Sequence, residues 1–343
     1  METPSTPRAA LSVVLVAAGG TSSVVRTMRH LRAQTARARM EVIIVAETVG
    51  AVDLSALGAD AFAACRVVPI GPITQRGAAA AVGMLTATSA IVGLVEDHSF
   101  PEPQWAEAII EAHAGSWTGV GPTVENANPE SAASWVNFIL AYGGFAGELE
   151  PGEREMIPWH NSAYKRESLA PFADRLGELL EWEGSLQDEM RARGNTLYLE
   201  PRARTHHANI SRIRSTIGLN VQRGRILGAQ RAERERWPRW RRLLQAAGFP
   251  LFPLLQLRHM MPAMRRMAIP RELRPRVYLG LGAALSVLAV AEAWGLVSGA
   301  GDAVARMEDF ELFRSRHLTR RERLAAESSA VEQDTDVSHG AAW

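Results

Sequence analysis

Glu96, Asp97 and His98 are three consecutive ionisable side chains, and they follow directly on an apolar run from Ile91 to Val95. The β-branched members of that run predict a short buried strand. The three groups then stand at the strand's carboxyl end, where open α/β sheets bind their ligands. Behind them Pro101 and Pro103 predict a rigid turn, and Trp105, Ile109, Ile110 and His113 have helical spacing. The cluster is therefore expected on a loop between strand and helix. In isolation such a triplet also reads as a solvated acidic turn, so the elements around it must decide.

Those elements repeat one pattern. Leu11–Val16 is an apolar β-branched run ending in Ala17-Ala18-Gly19-Gly20, and Val24, Met28 and Leu31 then fall at helical spacing. Glu41–Val45 predicts a second strand, ending near Glu47. Arg66–Ile70 predicts a third, leading through Gln75-Arg76 to an alanine-rich helix over Gly77–Ala87, and the Ile91 run is the fourth. Strand and helix alternating at this spacing predict a predominantly parallel sheet flanked by helices. Further on, the sequence predicts a strand at Gly119–Pro122, a helix at Ser131–Leu140 and a glycine- and glutamate-rich loop at Gly143–Glu155. One amphipathic helix is expected over Glu178–Arg193, capped by Gly194, and a strand at Thr196–Leu199 stopping before Pro201.

Composition bounds the reading. The chain has 343 residues and a single cysteine, Cys65, which excludes an intrachain disulfide framework and a cysteine-built zinc site and fits a reducing compartment. The first ten residues lack a basic segment followed by an apolar one, so no secretory signal is expected. A net charge of +1 hides an asymmetry: Arg212 to Arg276 contains sixteen arginines and three glutamates, leaving −12 for the rest.

The ordered set resembles the catalytic domain of family 2 glycosyltransferases with the GT-A fold. It comprises the first strand and turn, Glu47 after the second strand, Arg76 before the alanine-rich helix, Glu96-Asp97-His98, the segment Asn161-Ser162-Ala163-Tyr164-Lys165-Arg166, and an acid-bearing helix followed by Gly194 and Pro201. The resemblance covers roughly residues 10–230. It implies an α/β GT-A fold with a helical C-terminal region, divided as 1–210 catalytic, 211–301 basic, amphipathic and membrane-associated, and 302–343 a polar tail that is partly disordered.

The resemblance also implies roles. The acidic strand end would hold a divalent cation, Mn²⁺ or Mg²⁺, that bridges the diphosphate of a nucleotide sugar, with Glu96 and Asp97 on the donor side and Asp97, His98 and His207 on the metal. An imidazole ligand favours Mn²⁺ over Mg²⁺. His206 competes with His207 for the metal. Glu47 would contact the nucleobase or ribose, and Arg76 would help to hold the nucleotide. Inverting transfer needs a general base at the acceptor hydroxyl. Leu186, Gly194 and Pro201 set a register that puts Glu183 there, with Glu181 as competitor. Asn161, Tyr164 and Arg166 match an N-x-x-Y-x-R pattern at the donor and acceptor edge. Gln222-Arg223-Gly224-Arg225 resembles the Q-x-x-R-W motif of polymerising members, but Ile226 stands in place of tryptophan, against a processive polymerase.

The C-terminal third mixes arginine, aromatic and apolar residues. Ile213, Ile217 and Val221 predict a helix with arginines on its other side. Trp237 to Leu257 combines basic and apolar character of the kind that lies flat on anionic lipid, and the apolar runs favour that partner over nucleic acid. Val277–Gly301 is long enough to span a bilayer, although Glu292 interrupts it. The expected location is the cytoplasmic face of the cell membrane, peripheral or with one transmembrane or re-entrant helix. The sequence thus predicts a metal-dependent inverting glycosyltransferase, with a hydroxyl acceptor that is either lipid-linked or a cell-envelope glycan and no nucleic-acid partner. The rival from another class is a catalytically silent GT-A-like binding or assembly protein. A nucleotidyltransferase would need a glycine- and arginine-rich phosphate loop, for which Gly19-Gly20-Thr21 is a poor substitute.

Overall fold

The computed structural model describes residues 9–181 and 184–323. The expected base Glu183 and residues 324–343 of the polar tail lie outside the described residues. Contacts divide the chain into two units: residues up to Glu125 with Phe145–His207, and Asn126–Gly144 with the chain from Ala208 onward.

The first unit opens with β1 (Leu11–Val16), α1 (Thr21–Arg32), β2 (Met40–Ala46), β3 (Ala64–Pro69), α2 (Arg76–Thr86) and β4 (Ile91–Leu94). It continues with β5 (Ser99–Pro101), α3 (Trp105–Ala112) and β6 (Gly119–Asn126). Helix α4 (Ala132–Tyr142) belongs to the second unit. Then come β7 (Gly152–Arg154), β8 (Ala163–Lys165), α5 (Arg166–Leu169), α6 (Leu176–Glu181), α7 (Ser185–Ala192) and β9 (Leu197–His207). Among the described residues these strands form one sheet in the order β3-β2-β1-β4-β8-β6-β9-β5, with β7 added on β9. Strands β3, β2, β1 and β4 are parallel, whereas β8, β5 and β7 pair antiparallel.

Alternation along the strands gives the sheet two apolar faces. Leu11, Val13 and Leu15 of β1 join Met28, Leu31 and Trp105 in one core, while Val14 joins Met84, Leu176 and Leu186 in the other. Each fully buried leucine or valine adds about 1.5–3 kcal/mol, so the carboxyl edge of the sheet is rigidly held.

Several expected boundaries move, each for a local reason. The single helix over Glu178–Arg193 is two helices, α6 and α7, because Gly184 takes a left-handed φ of 80° ahead of Ser185. Ser99–Pro101 is a strand and not a turn: among the described residues β5 ends the sheet and pairs with β9 alone, and a proline is tolerated at such an edge. The strand expected to stop before Pro201 runs through to His207. Pro201 falls between the residues that pair β7 (Leu197 to Leu199) and those that pair β5 (Thr205 to His207). The loop 143–155 contains β7.

The second unit is helical: α4 with α8 (Ile213–Arg234), α9 (Arg239–Ala247), α10 (Phe252–Arg266), α11 (Arg274–Ser298) and α12 (Ala303–Leu312). Helix α11 packs against α8, α9, α10 and α4. It is long and apolar enough to cross a membrane by length and composition, and half of its apolar window is buried inside the protein. Its contact with α8 runs through glycines: a Cβ on Gly228 would meet the Glu292 carbonyl oxygen at 2.1 Å, and one on Gly224 the Leu288 carbonyl oxygen at 2.5 Å. The helix expected from Ile213 is present with its faces reversed, since Ile213 and Ile217 are exposed and Thr216, Asn220, Gly224 and Gly228 are buried. Small residues let the helix backbones approach, and the large ones are left outside.

Candidate functional site

The chain leaves β4 at Leu94, and two residues later Glu96 begins the turn that leads into β5. The turn is closed by the Ser99 amide donating to the Glu96 carbonyl at 3.0 Å. From below, the Thr27 hydroxyl of α1 donates to the Asp97 carbonyl at 2.7 Å and lies 3.0 Å from that of Ser99. The acidic turn is therefore bolted to a helix of the core and does not float in solvent.

β5 pairs antiparallel with β9, placing Ser99 opposite His207 and Phe100 opposite His206. Strand alternation then separates the two histidines. His207 is buried, with Nε2 3.2 Å from Glu96 Oε2, whereas half-exposed His206 turns away to Glu102 at 3.0 Å. His98 Nε2 lies 3.7 Å from Glu96 Oε1, and the His98 and His207 rings meet edge to face with centroids 4.7 Å apart. Glu96, His98 and His207 present ligand atoms that all lie within 4.8 Å of one another.

Asp97 plays a different part from its neighbours. Its Oδ1 accepts from His98 Nδ1 at 2.6 Å. With the proton on Nδ1, Nε2 carries the lone pair that faces Glu96 and His207, the arrangement by which carboxylates orient metal-binding histidines. One carboxylate and two imidazoles fit a divalent cation of intermediate softness, Mn²⁺ better than Mg²⁺.

Arg76, the first residue of α2, donates through one guanidinium nitrogen to His160 Nε2 at 2.6 Å, and the same nitrogen lies 3.7 Å from Glu96 Oε1. Asn161 Nδ2 donates to Glu96 Oε2 at 3.3 Å. Burial pushes the Glu96 carboxyl upward, but the His98 imidazole, joined by the hydrogen bond and charge of His207, outweighs it and holds Glu96 well below the usual carboxylate range. Burial, reinforced by the Arg76 charge, holds His160 well below the ordinary histidine value, so it is a neutral acceptor for the arginine.

The structure thus brings together Arg76, Glu96, Asp97, His98, Asn161 and His207. Exposed Glu47 follows β2 at the same carboxyl edge of the sheet, with β1 between β2 and β4. At about 4.8 Å per strand this separates it from Glu96 by roughly 10 Å, the reach of a nucleotide. Tyr164 is a core residue: its phenol accepts from Gln187 at 2.9 Å and burial pushes it up to about 12. Arg166 is not brought to the cluster. β8 runs antiparallel to β4, so the chain from Asn161 to Arg166 travels away, and Arg166 Nε donates to the Ser89 carbonyl at the opposite edge, 2.9 Å. Glu181, the competitor for the base, has Oε2 accepting from the Gly77 amide at 2.8 Å, where it caps the start of α2.

His160 and Thr27 are the participants that sequence reasoning missed. Neither has a signal of its own: His160 lies in an irregular turn, and Thr27 is one polar residue on an otherwise amphipathic helix.

No protein-family model matches the chain, and no curated protein matches it. Among solved structures, it is similar to a mannosyltransferase from Pyrobaculum calidifontis in complex with GDP-Man and Mn²⁺, with TM-score 0.51 and 16% identity, covering 84% of this chain and 88% of that one. GalNAc-T7 with UDP, GalNAc and Mn²⁺ aligns at TM-score 0.42 and 14% identity, covering 59% of this chain and 44% of that one. TarS from S. aureus with UDP-GlcNAc aligns at TM-score 0.38 and 14% identity, covering 58% of each chain. The first similarity establishes the fold: an α/β sheet of the GT-A type flanked by helices, with a helical C-terminal region.

Proposed function

We propose that this chain is a divalent-metal-dependent glycosyltransferase that moves a sugar from a nucleotide-sugar donor to an acceptor hydroxyl with inversion. One observation carries the reading: Glu96, His98 and His207 converge at the carboxyl edge of a GT-A sheet, with Asp97 orienting His98 and Arg76 beside them. The Pyrobaculum calidifontis mannosyltransferase with the same fold holds GDP-Man and Mn²⁺, which makes a nucleotide sugar and Mn²⁺, or alternatively Mg²⁺, the ligands to test here.

Glu96, His98 and His207 would hold the cation, which when bound neutralises charge on the departing diphosphate. Arg76, at the start of α2, adds a fixed positive charge where a helix N-terminus already favours phosphate. Neutral His160 accepts from that guanidinium and keeps it aimed at the cluster. Glu47 would meet the ribose or base along the sheet edge. Asn161, joined to Glu96, is the member of the acceptor-edge set best placed to meet the sugar.

Glu183 would take the proton from the acceptor hydroxyl as the sugar carbon is attacked. The engagement of Glu181 with the Gly77 amide supports Glu183 over its neighbour. The basic C-terminal region supports an acceptor that is amphiphilic, either lipid-linked or a cell-envelope glycan, met at a cytoplasmic membrane face.

Titration calorimetry with a panel of nucleoside diphosphates, with and without Mn²⁺, tests the donor site. Metal-dependent binding is expected, and Glu183→Gln should keep it while lowering transfer by about two to four orders of magnitude. Full transfer in that variant refutes the base. Absence of metal-dependent binding by any nucleotide refutes the reading and leaves a silent binding protein.

A further inference from the structure

Helix α11 has the length and composition of a membrane span, yet its neighbours carry charge that a bilayer excludes. Along α8, backbone meets backbone at Gly224, Gly228 and Gly295, where an added Cβ would come within 2.5 Å of a carbonyl oxygen of the facing helix. That helix carries Arg223, Arg225, Arg231 and Arg234, and Arg231 pairs with Glu292 of α11 at 2.5 Å. Helix α9, also packed on α11, carries Arg239, Arg241 and Arg242. To cross a bilayer, α11 would have to carry these arginines into hydrocarbon or abandon its glycine contacts, and either is costly.

Helices α9 and α10 present the opposite case. Trp240, Leu243 and Leu244 of α9 are 57–67% exposed, and Leu251, the cap just before α10, with Leu254 and Leu255 in its first turn are 66–72% exposed. In both sets the spacing is i, i+3, i+4, so each forms one face of its helix. Between Trp237 and Arg271 there is no aspartate or glutamate, and there are seven arginines. An apolar face on a segment whose arginines have no acid among them matches an anionic lipid surface, with leucine and tryptophan at the acyl boundary and guanidinium groups at the phosphates. A second copy of the chain would instead bring two acid-free arginine faces together.

We infer that α9 and α10 lie in the plane of an anionic membrane surface and that α11 stays within the protein without crossing. This anchoring mode does not depend on glycosyl transfer and is tested without activity. The purified full chain is floated with vesicles of phosphatidylcholine, alone or mixed with phosphatidylglycerol. It should float with the mixed vesicles, more weakly with the neutral ones, and less as salt is raised. Leu244→Glu and Leu254→Glu should each lower vesicle partitioning by at least about tenfold. Both side chains already face water, so thermal unfolding should be unchanged.

Topology is read separately, in a Cys65→Ser background, with Arg276→Cys and Val297→Cys placed near the two ends of α11. A membrane-impermeant maleimide added outside the vesicles should label both. Labelling of one end only would establish a span and overturn the inference. It is equally overturned by equal binding to neutral vesicles, by leucine-to-glutamate variants that float like the parent, or by failure to float with the mixed vesicles, whether or not the chain self-associates through the same leucines.

Discussion

Glu96 and Glu292 are both buried glutamates, 7% and 4% exposed, and their surroundings differ in kind. Glu96 is ringed by more partners than one carboxylate needs: His98, His207, Arg76 and Asn161 all lie within 3.7 Å of its oxygens. Its pKa is held low. Among the described residues Glu292 has one cation, Arg231, whose own side chain is 44% exposed, and it sits where two helix backbones meet. There burial outweighs the arginine and the pKa rises. A structural ion pair balances a charge at the least number of contacts, whereas the Glu96 cluster assembles donors around a point that can take another charge.

The largest effect that separates these regions is on transfer. Glu96→Gln should lower Mn²⁺-supported kcat/KM by about two to three orders of magnitude, the usual scale for losing preorganised charge at a reacting centre. Chelation of the metal should do the same to the parent protein. Glu292→Gln, by contrast, should leave kcat/KM within a few-fold. If both variants lose activity equally, the contrast between site and scaffold is broken.

Next comes a stability effect confined to the helical unit. Glycine to alanine inside a helix is normally favourable by up to about 1 kcal/mol. At Gly228 the sign should reverse, because the new Cβ would meet the Glu292 carbonyl oxygen at 2.1 Å and helix backbone cannot yield as a side chain does. A loss of about 1–3 kcal/mol is expected from such overpacking. Denaturant midpoints measure it, and Mn²⁺ binding at Glu96 should not change. A stabilised Gly228→Ala would mean that α8 and α11 do not approach this closely.

How much of each region was legible follows from the range of the interactions that build it. The parallel strands were readable because a fully buried strand is a nearly continuous apolar run, and Leu11–Val16 and Met40–Ala46 are such runs apart from Ser12 and Glu41, whose buried side chains bond each other across the two strands. The position of Glu96 followed from where its strand ends. What a neighbour more than a hundred residues away would do did not follow: His207 faces Glu96 and His206 faces Glu102 only because of the β5 to β9 register, and pairing register is not written in either strand alone. Arg166 shows the same limit, since a motif fixes spacing and not strand direction, and β8 runs away from the cluster. In the helical unit, periodicity found α8 but assigned its inward face to Ile213 and Ile217. Hydrophobic patterning cannot see an interface built on Gly224 and Gly228.

The smallest effect sharpens the comparison most, because it isolates one hydrogen bond. In the Glu96 region Asp97 acts through His98, whereas among the described residues nothing comparable orients Arg231 on Glu292 apart from the pair itself. Asp97→Asn keeps an oxygen that can accept from His98 Nδ1 but removes the charge that raises the basicity of the ring. Loss of such a supporting carboxylate typically weakens metal binding about 10- to 100-fold. Direct Mn²⁺ titration should place Asp97→Asn near the lower end of that range and Asp97→Ala, which also frees the ring to rotate, near the upper end. Thermal unfolding without metal should change little in Asp97→Asn, because the Thr27 hydroxyl on the Asp97 backbone and an oxygen for His98 Nδ1 are both kept. Equal Mn²⁺ affinity in parent, asparagine and alanine variants would mean that the orientation of His98 does not matter to the metal. The cluster would then have to be read like Glu292, as a buried charge that the fold merely tolerates.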